Sequence, residues 1–322
     1  MRRRLLLLLV LTLACGAWGV ASAQEIVIGL NAELTGSIPV VGQSSRNAAL
    51  MAVDEVNAAG GLLVGGTRRP VRLIIEDNQD NPAIAAAVAQ KLIYQDRVVA
   101  SFVYNDLGAR RAAVLYDVAS DYNKGIAEIF RSSFTELGGQ VVAFETYTTG
   151  DRDFSSQLTR ITALQPDVLF LPNYYSEVPL QIQQARNLGY SGPVVGSDSW
   201  GSAEIITLGG QAMEGQYFTT HYAPDIATPE ARRFIEGYEA RYGATPDDVA
   251  ALTYDAFGML FQAIQAAGST DREAIREALA QITEFTGVTG TMSFRGSGDP
   301  EKTAVVLQIQ EGAFRYFGSA AP

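Results

Sequence analysis

From residue 25 onward, short runs rich in Val and Ile alternate with amphipathic stretches, and this rhythm constrains the fold more than any other feature of the 322-residue chain. Glu25–Leu30 carries no helical period and reads as a strand buried on both faces. Ser44–Ala59 sets Ala48, Met51, Ala52, Val53 and Val56 at helical spacing, and Gly60-Gly61 closes that helix with a left-handed cap. Val71–Ile75 is the next strand. Asp80-Asn81-Pro82 opens a helix that runs to Gln95, and Val98–Ala100 begins a third strand. A second series has strands at Ala112–Tyr116, Val141–Glu145, Asp167–Leu171, Val194–Gly196 and Gly215–Thr219. Helices at Ser120–Leu137, Phe154–Leu164 and Glu177–Leu188 lie between them. Strand–helix alternation predicts parallel sheets with right-handed crossovers. The last third changes to three successive helices, Pro229–Tyr242, Asp248–Ala267 and Asp271–Gln281. Strands at Gly290–Phe294 and Ala304–Gln308 follow, joined through Gly296-Ser297-Gly298-Asp299. The expected class is α/β, with two open sheets flanked by helices and a cleft between them.

The first 23 residues have a different character. Arg2, Arg3 and Arg4 precede an apolar run, Leu5–Ala14, that is too short to span a bilayer. Ala21-Ser22-Ala23 then gives a small-x-small pattern before Gln24, so residues 1–23 read as a cleavable export signal. Cys15, the only cysteine, follows Ala14 and could instead carry a lipid, but Thr12 stands where lipoprotein signals favour Leu. Either way the exported chain has no disulfide and is held by burial alone. Removing the leader takes away Arg2, Arg3 and Arg4 of the 24 basic residues, which leaves 21 against 35 acidic ones and a net charge of −14. Such a surface repels nucleic acid and anionic lipid.

Enzymatic chemistry has little to work with. His221 is the only histidine, and no cysteine remains after export, so a nucleophile–base relay lacks parts. No glycine-rich run matches a phosphate or dinucleotide loop. Asp77-Asn78-Gln79-Asp80 lacks the downstream glycine and glutamate of a calcium loop and reads as a turn and helix cap. No cofactor or metal is expected.

Several stretches carry a family resemblance in shared order. They begin with Gly29-Leu30-Asn31-Ala32-Glu33-Leu34-Thr35-Gly36 and Val53-Asp54-Glu55-Val56-Asn57-Ala58-Ala59-Gly60-Gly61. Leu115-Tyr116-Asp117-Val118-Ala119-Ser120-Asp121-Tyr122, Gly150-Asp151-Arg152-Asp153-Phe154 and Gln184-Ala185-Arg186-Asn187-Leu188-Gly189 continue it, and Gly287-Val288-Thr289-Gly290-Thr291 and Gly298-Asp299-Pro300 close it. Together these resemble the branched-chain amino-acid binding proteins, periplasmic receptors of ABC importers with a two-lobed type I fold. The resemblance implies lobe 1 from residues 24–109 and 222–299, and lobe 2 from 110–221 and 300–322. It also implies a periplasmic, monomeric receptor whose partners are a small ligand, an amino acid or analogue, and a membrane permease. One departure stands out. After Val98–Ala100 the family continues with further strand–helix units of lobe 1, whereas Ser101–Arg110 here resumes at the last helix before lobe 2. At about 30 residues per strand–helix–strand unit, the loss is on the order of 50–60 residues. The missing stretch is where the resemblance places serine and threonine contacts to the ligand.

The same resemblance points to ligand contacts at Tyr122, Tyr174 and Asp198, each just after a strand, with Asp198 as the partner of a ligand ammonium. Trp200 could add an aromatic wall or a cation–π face, or simply pack. Tyr175 is the neighbour of Tyr174 and could also only pack. Ser37, in the loop after the first strand, could offer a hydroxyl or amide, and Val41 stands where some relatives carry an aromatic. Two other outcomes stay open: a non-binding product or interaction module of the same fold, and an exported hydrolase.

Overall fold

The computed structural model describes residues 25–36, 38–77, 99–294 and 300–320. The export signal, Cys15, Ser37, the helix expected from Asp80 to Gln95 and the Gly296–Asp299 turn lie outside the described residues.

The larger body is a seven-stranded sheet. Its strands are β5 (Arg111–Asp117), β6 (Gln140–Tyr147), β7 (Val168–Leu171), β8 (Val194–Gly196), β9 (Tyr217–Thr220), β13 (Ala304–Gln310) and β14 (Ala313–Ala320), in the spatial order β14-β13-β9-β8-β7-β5-β6. The strands from β5 to β9 pair in parallel, as the alternation predicts. β13 runs antiparallel to both β9 and β14, so the chain's last two strands extend the sheet in mixed sense.

Every residue of β7 and β8 is buried, the signature of a sheet covered on both faces. On one face α2 (Asp121–Glu136) contributes Ile126, Ala127, Phe130 and Phe134 to a cluster with Val114 and Phe170. On the other, α3 (Ser155–Ala163) and α4 (Val178–Asn187) bring Leu158, Ile161 and Ile182 against Leu115 and Leu169. Ser120 caps α2 by accepting a hydrogen bond from the Asn123 amide.

The smaller body is built on β1 (Ile26–Ala32) and β4 (Val71–Asp77), a parallel pair in register from Ile26↔Val71 to Ala32↔Asp77. Between them run α1 (Pro39–Ala58) and a short hairpin, β2 (Leu62–Val64) with β3 (Thr67–Arg69). Later chain segments return to this body as α6 (Pro229–Tyr242), α7 (Asp248–Ala267) and α8 (Arg272–Ala280), after α5 (Glu204–Gly209) of the larger body. Ala49, Ala52 and Val53 of α1 and Phe257, Phe261 and Ile264 of α7 cover one face of β1 and β4. Asp247 caps α7 and also accepts the Ser44 hydroxyl of α1 at 2.6 Å, which ties the two helices together. A three-stranded antiparallel unit, β10 (Glu284–Gly287), β11 (Gly290–Phe294) and β12 (Pro300–Glu301), completes the body. Asp255 anchors it by accepting the Val288 and Thr289 amides at 2.7 and 2.9 Å.

Two expectations are corrected. First, β1 is buried on one face only, alternating buried and exposed, with Val27 49% exposed and Ile74 of β4 36% exposed on the opposite face. Among the described residues, helices pack on a single side of this pair. Second, Val99 and Ala100 are helical and lead into a π-helical turn at Phe102–Asp106. Val99, Ala100, Phe102 and Val103 pack into the cluster under the seven-stranded sheet. A short apolar run does not distinguish a buried helix from a buried strand. Gly290–Phe294 and Ala304–Gln308 are strands as expected, and they join different sheets.

Candidate functional site

Because β8, β7 and β5 are neighbours in the sheet, the three loops leaving their carboxyl ends lie side by side. In open α/β sheets that edge is where ligands sit. Tyr122 opens α2 just after β5, Tyr174 follows β7, and Asp198 follows β8 at the start of a 3₁₀ turn, Asp198–Trp200. The Tyr122 hydroxyl donates to Asp198 Oδ1 and lies 3.3 Å from Ser197 Oγ. The rings of Tyr122 and Tyr174 stack, with centroids 5.5 Å apart and planes 18° from parallel. Burial, then the Asp198 charge, raises the Tyr122 hydroxyl well above the usual phenol range, so it stays a proton donor to the carboxylate. The structure thus brings three of the six residues singled out from sequence into one constellation.

The other three fare differently. Trp200 is 0% exposed: its indole donates to the Leu171 carbonyl at 3.1 Å and its ring packs in the core. It is a support of the site and not a wall of it. Tyr175 is buried in the same cluster, with the Val40 backbone beside its hydroxyl. Ser37 lies outside the described residues. Nearby, Asp77 at the end of β4 accepts the Leu34 and Thr35 amides at 3.1 and 3.2 Å and fixes the loop that leads there. Ile38, Val40 and Val41, at the entry to α1, pack against the cluster that holds Tyr174 and Tyr175, so the smaller body meets the larger one at this edge.

A buried polar network beneath the loops was missed by the sequence reading. Asn173 is buried. Its amide group donates to the Leu115 carbonyl at 2.9 Å and to Gln181 Oε1 at 2.8 Å, and its Oδ1 receives the Asn123 side chain at 3.2 Å. Ser199 Oγ donates to the Asn173 carbonyl at 2.8 Å and is 2.9 Å from Ser197 Oγ. Asp117 accepts the Ala119 and Thr149 amides at 2.8 and 3.1 Å. Each loop is therefore held by its neighbours, which fixes where Tyr122, Tyr174 and Asp198 stand.

Asp248 was also missed. It is buried at the first turn of α7, where it accepts the Thr220 hydroxyl at 2.8 Å and the Val249 amide at 2.9 Å. Burial, then the charges of Asp247 and Asp198, push its carboxyl up to about 8. Gly201, at the end of the Asp198 turn, lies against it. In the sequence Asp248 is one of many acidic residues near a helix start, and only the fold brings it to Asp198. Among the described residues no group of three or more His, Cys, Asp or Glu could hold a metal, and no helix is long and apolar enough to cross a membrane.

Comparison with known proteins agrees with this geometry. The family model described as periplasmic binding protein matches residues 25–105 and 97–313. The leucine-, isoleucine-, valine-, threonine- and alanine-binding protein of Pseudomonas aeruginosa is 25% identical, over 86% of this chain and 88% of its own length. That alignment spans 335 positions, yet 86% of 322 residues is about 277, so about 58 positions have no residue here. With the family match split near residues 97–105, this agrees with the loss read from the sequence. A leucine-binding protein from Thermotoga maritima superposes with a TM-score of 0.83 at 30% identity, covering 92% of this chain and 99% of the other. The branched-chain amino-acid transporter substrate-binding protein of Streptococcus pneumoniae, solved with isoleucine, gives 0.82 at 27% identity, over 93% and 100%. The paired sheets, the loop cluster on their shared edge and these likenesses lead to one statement: this chain belongs to the periplasmic binding protein family.

Proposed function

We propose that the chain is an exported receptor that captures an amino acid or a similar small polar, amine-bearing ligand between two lobes and delivers it to the permease of an ABC importer. The observation that carries this reading is the grouping of Tyr122, Tyr174 and Asp198 on the carboxyl edge of adjacent parallel strands. A carboxylate held by a tyrosine hydroxyl suits an ammonium, and a stacked ring pair beside it suits a cation or an aliphatic wall. The residues that act are binding groups, not catalysts. Residues 1–23 would direct the chain out of the cytoplasm, a periplasmic location fits the description of its family, and the proposed receptor acts as a monomer. The sequence division puts lobe 1 at 24–109 and 222–299 and lobe 2 at 110–221 and 300–322, but Val99, Ala100, Phe102 and Val103 pack under the seven-stranded sheet, so the proposed first crossing comes before residue 99. That crossing and those near 221 and 300 would serve as the hinge.

Thermal melting with a panel of amino acids, amides and small acids tests the proposal. A ligand at 100 times its dissociation constant should add about 2.7 kcal/mol of stability. No shift with any compound would sink the receptor reading. One observation favours a second outcome, a non-binding product of the same fold: the partly exposed face of β1 and β4 at Val27 and Ile74. Dye binding to exposed apolar surface together with a broad melt would support that outcome instead.

A further inference from the structure

The smaller body carries a cavity of about 440 Å³ that the receptor reading does not use, set among α1, α6, α7 and β10. Its walls include three aromatic rings from three elements, Phe234 of α6, Tyr254 of α7 and Phe285 of β10. The rings of Phe234 and Tyr254 have centroids 4.7 Å apart and planes inclined by 42°, so they form a corner and not a stack. Gly258 lies one helical turn past Tyr254 and also lines the cavity. A Cβ there would stand 3.0 Å from Phe285 Cζ, so the missing side chain leaves room for that ring.

The charge in the lining is lopsided. Glu55 of α1, Glu230 and Asp255 face a single cation, Arg233. Arg233 is bonded to Glu230 at 3.1 Å, and Asp255 is buried and taken up by the Val288 and Thr289 amides. Arg241, whose field reaches Glu55, is bonded to Asp54. Glu55 is the carboxylate left for a ligand. It is exposed, its Oε2 accepts the Tyr254 hydroxyl, and its Oε1 accepts no hydrogen bond from a described residue. Surplus carboxylate beside clustered rings attracts a cation that brings apolar surface with it. The cavity is also remote from the crevice. Pro39 starts α1 at the crevice edge, and Glu55 comes 55 − 39 = 16 residues later, about 24 Å along the helix at 1.5 Å per residue.

We propose that this cavity is a second binding site, separate from the crevice, for a small organic cation of the alkylated-ammonium type, with Glu55 as counter-charge and the Phe234, Tyr254 and Phe285 rings as its walls. The proposal goes beyond the receptor reading and does not depend on it. Aromatic faces suit an alkylated ammonium, which asks for no hydrogen bonds, whereas a primary ammonium is strongly hydrated and needs acceptors that the rings do not supply.

Titration calorimetry of the full chain with choline and its uncharged isostere 3,3-dimethyl-1-butanol tests this. Choline should bind at least about tenfold more tightly than the isostere. Glu55→Gln keeps an acceptor for the Tyr254 hydroxyl, removes the charge, and should weaken choline by about tenfold. Phe285→Ala removes one wall and gives a second reading on the same cavity, and each variant is compared only where its circular dichroism and melt match wild type. Asp198→Asn, in the crevice, should leave choline binding unchanged. No choline heat, equal binding of the isostere, or choline binding untouched by both Glu55→Gln and Phe285→Ala would overturn the inference. A loss that follows Asp198→Asn instead would place choline in the crevice, which overturns this inference and leaves the receptor reading standing. The amino-acid panel tests that reading separately, so either can fail without the other.

Discussion

Replacing Asp248 with Asn should change how stability depends on pH, in a direction fixed by the surroundings of the carboxyl. An aspartate has an ordinary value of 3.8, and burial beside Asp247 and Asp198 pushes this one to about 8. Between those values the unfolded chain has lost the proton while the native chain still holds it. Raising the pH therefore favours unfolding, by about 1.4 kcal/mol per pH unit. The stabilisation is complete below about pH 4, falls through the interval and is gone above about pH 8, for a total on the order of 5 kcal/mol. Asn keeps the shape and cannot ionise, so its protein lacks this slope. It gives up one well-matched hydrogen bond, at about 1 kcal/mol. Urea denaturation of both proteins at a series of pH values isolates the effect, because all other titrating groups are common to the pair. The variant should be slightly less stable than wild type near pH 4 and more stable by a few kcal/mol near pH 8. A difference between the two that stays flat from pH 4 to pH 8 would show that Asp248 ionises as freely in the native state as in water, and would refute the reasoning.

Other substitutions probe the supports of the crevice. Trp200→Ala empties a fully buried site in the core beneath the loops and should cost about 3–5 kcal/mol in denaturant unfolding. Gly201→Ala would place a methyl group 2.2 Å from Asp248 Oδ1. The two bodies must then separate locally, which should lower stability by about 1–3 kcal/mol and weaken ligand binding in calorimetry. Tyr122→Phe keeps the ring stack and removes the hydroxyl that holds Asp198. Its dissociation constant for the ligand should rise about tenfold with little change in melting temperature.

Much of the larger body was legible before any coordinates. Strands β5, β7 and β8 carry apolar runs, because a sheet covered on both faces imposes that pattern on its central strands, and the helices between them carry helical spacing. Val99 and Ala100 were misread because a three-residue apolar run lacks a period, and their partners lie far along the chain at Tyr217 and Phe317 through Phe102. β14 and the pairing of β13 with β9 were missed because antiparallel partners are chosen by packing and leave no spacing signal. At the site, Tyr122, Tyr174 and Asp198 could be found because each follows a strand end in a motif with known order. Asn173 and Ser199 work through buried amide and hydroxyl bonds that only the loop geometry reveals. Asp248 depends on a contact between α7 and the Asp198 turn across about fifty residues of sequence, so no local pattern marks it.

The most direct test of the receptor reading is a crystal structure of the chain grown with the compound that raises its melting temperature most. The account predicts that compound between the two bodies, its amine bonded to Asp198 and its body against the rings of Tyr122 and Tyr174. Density for it on any other surface, with those three side chains touching only one another, would contradict the account.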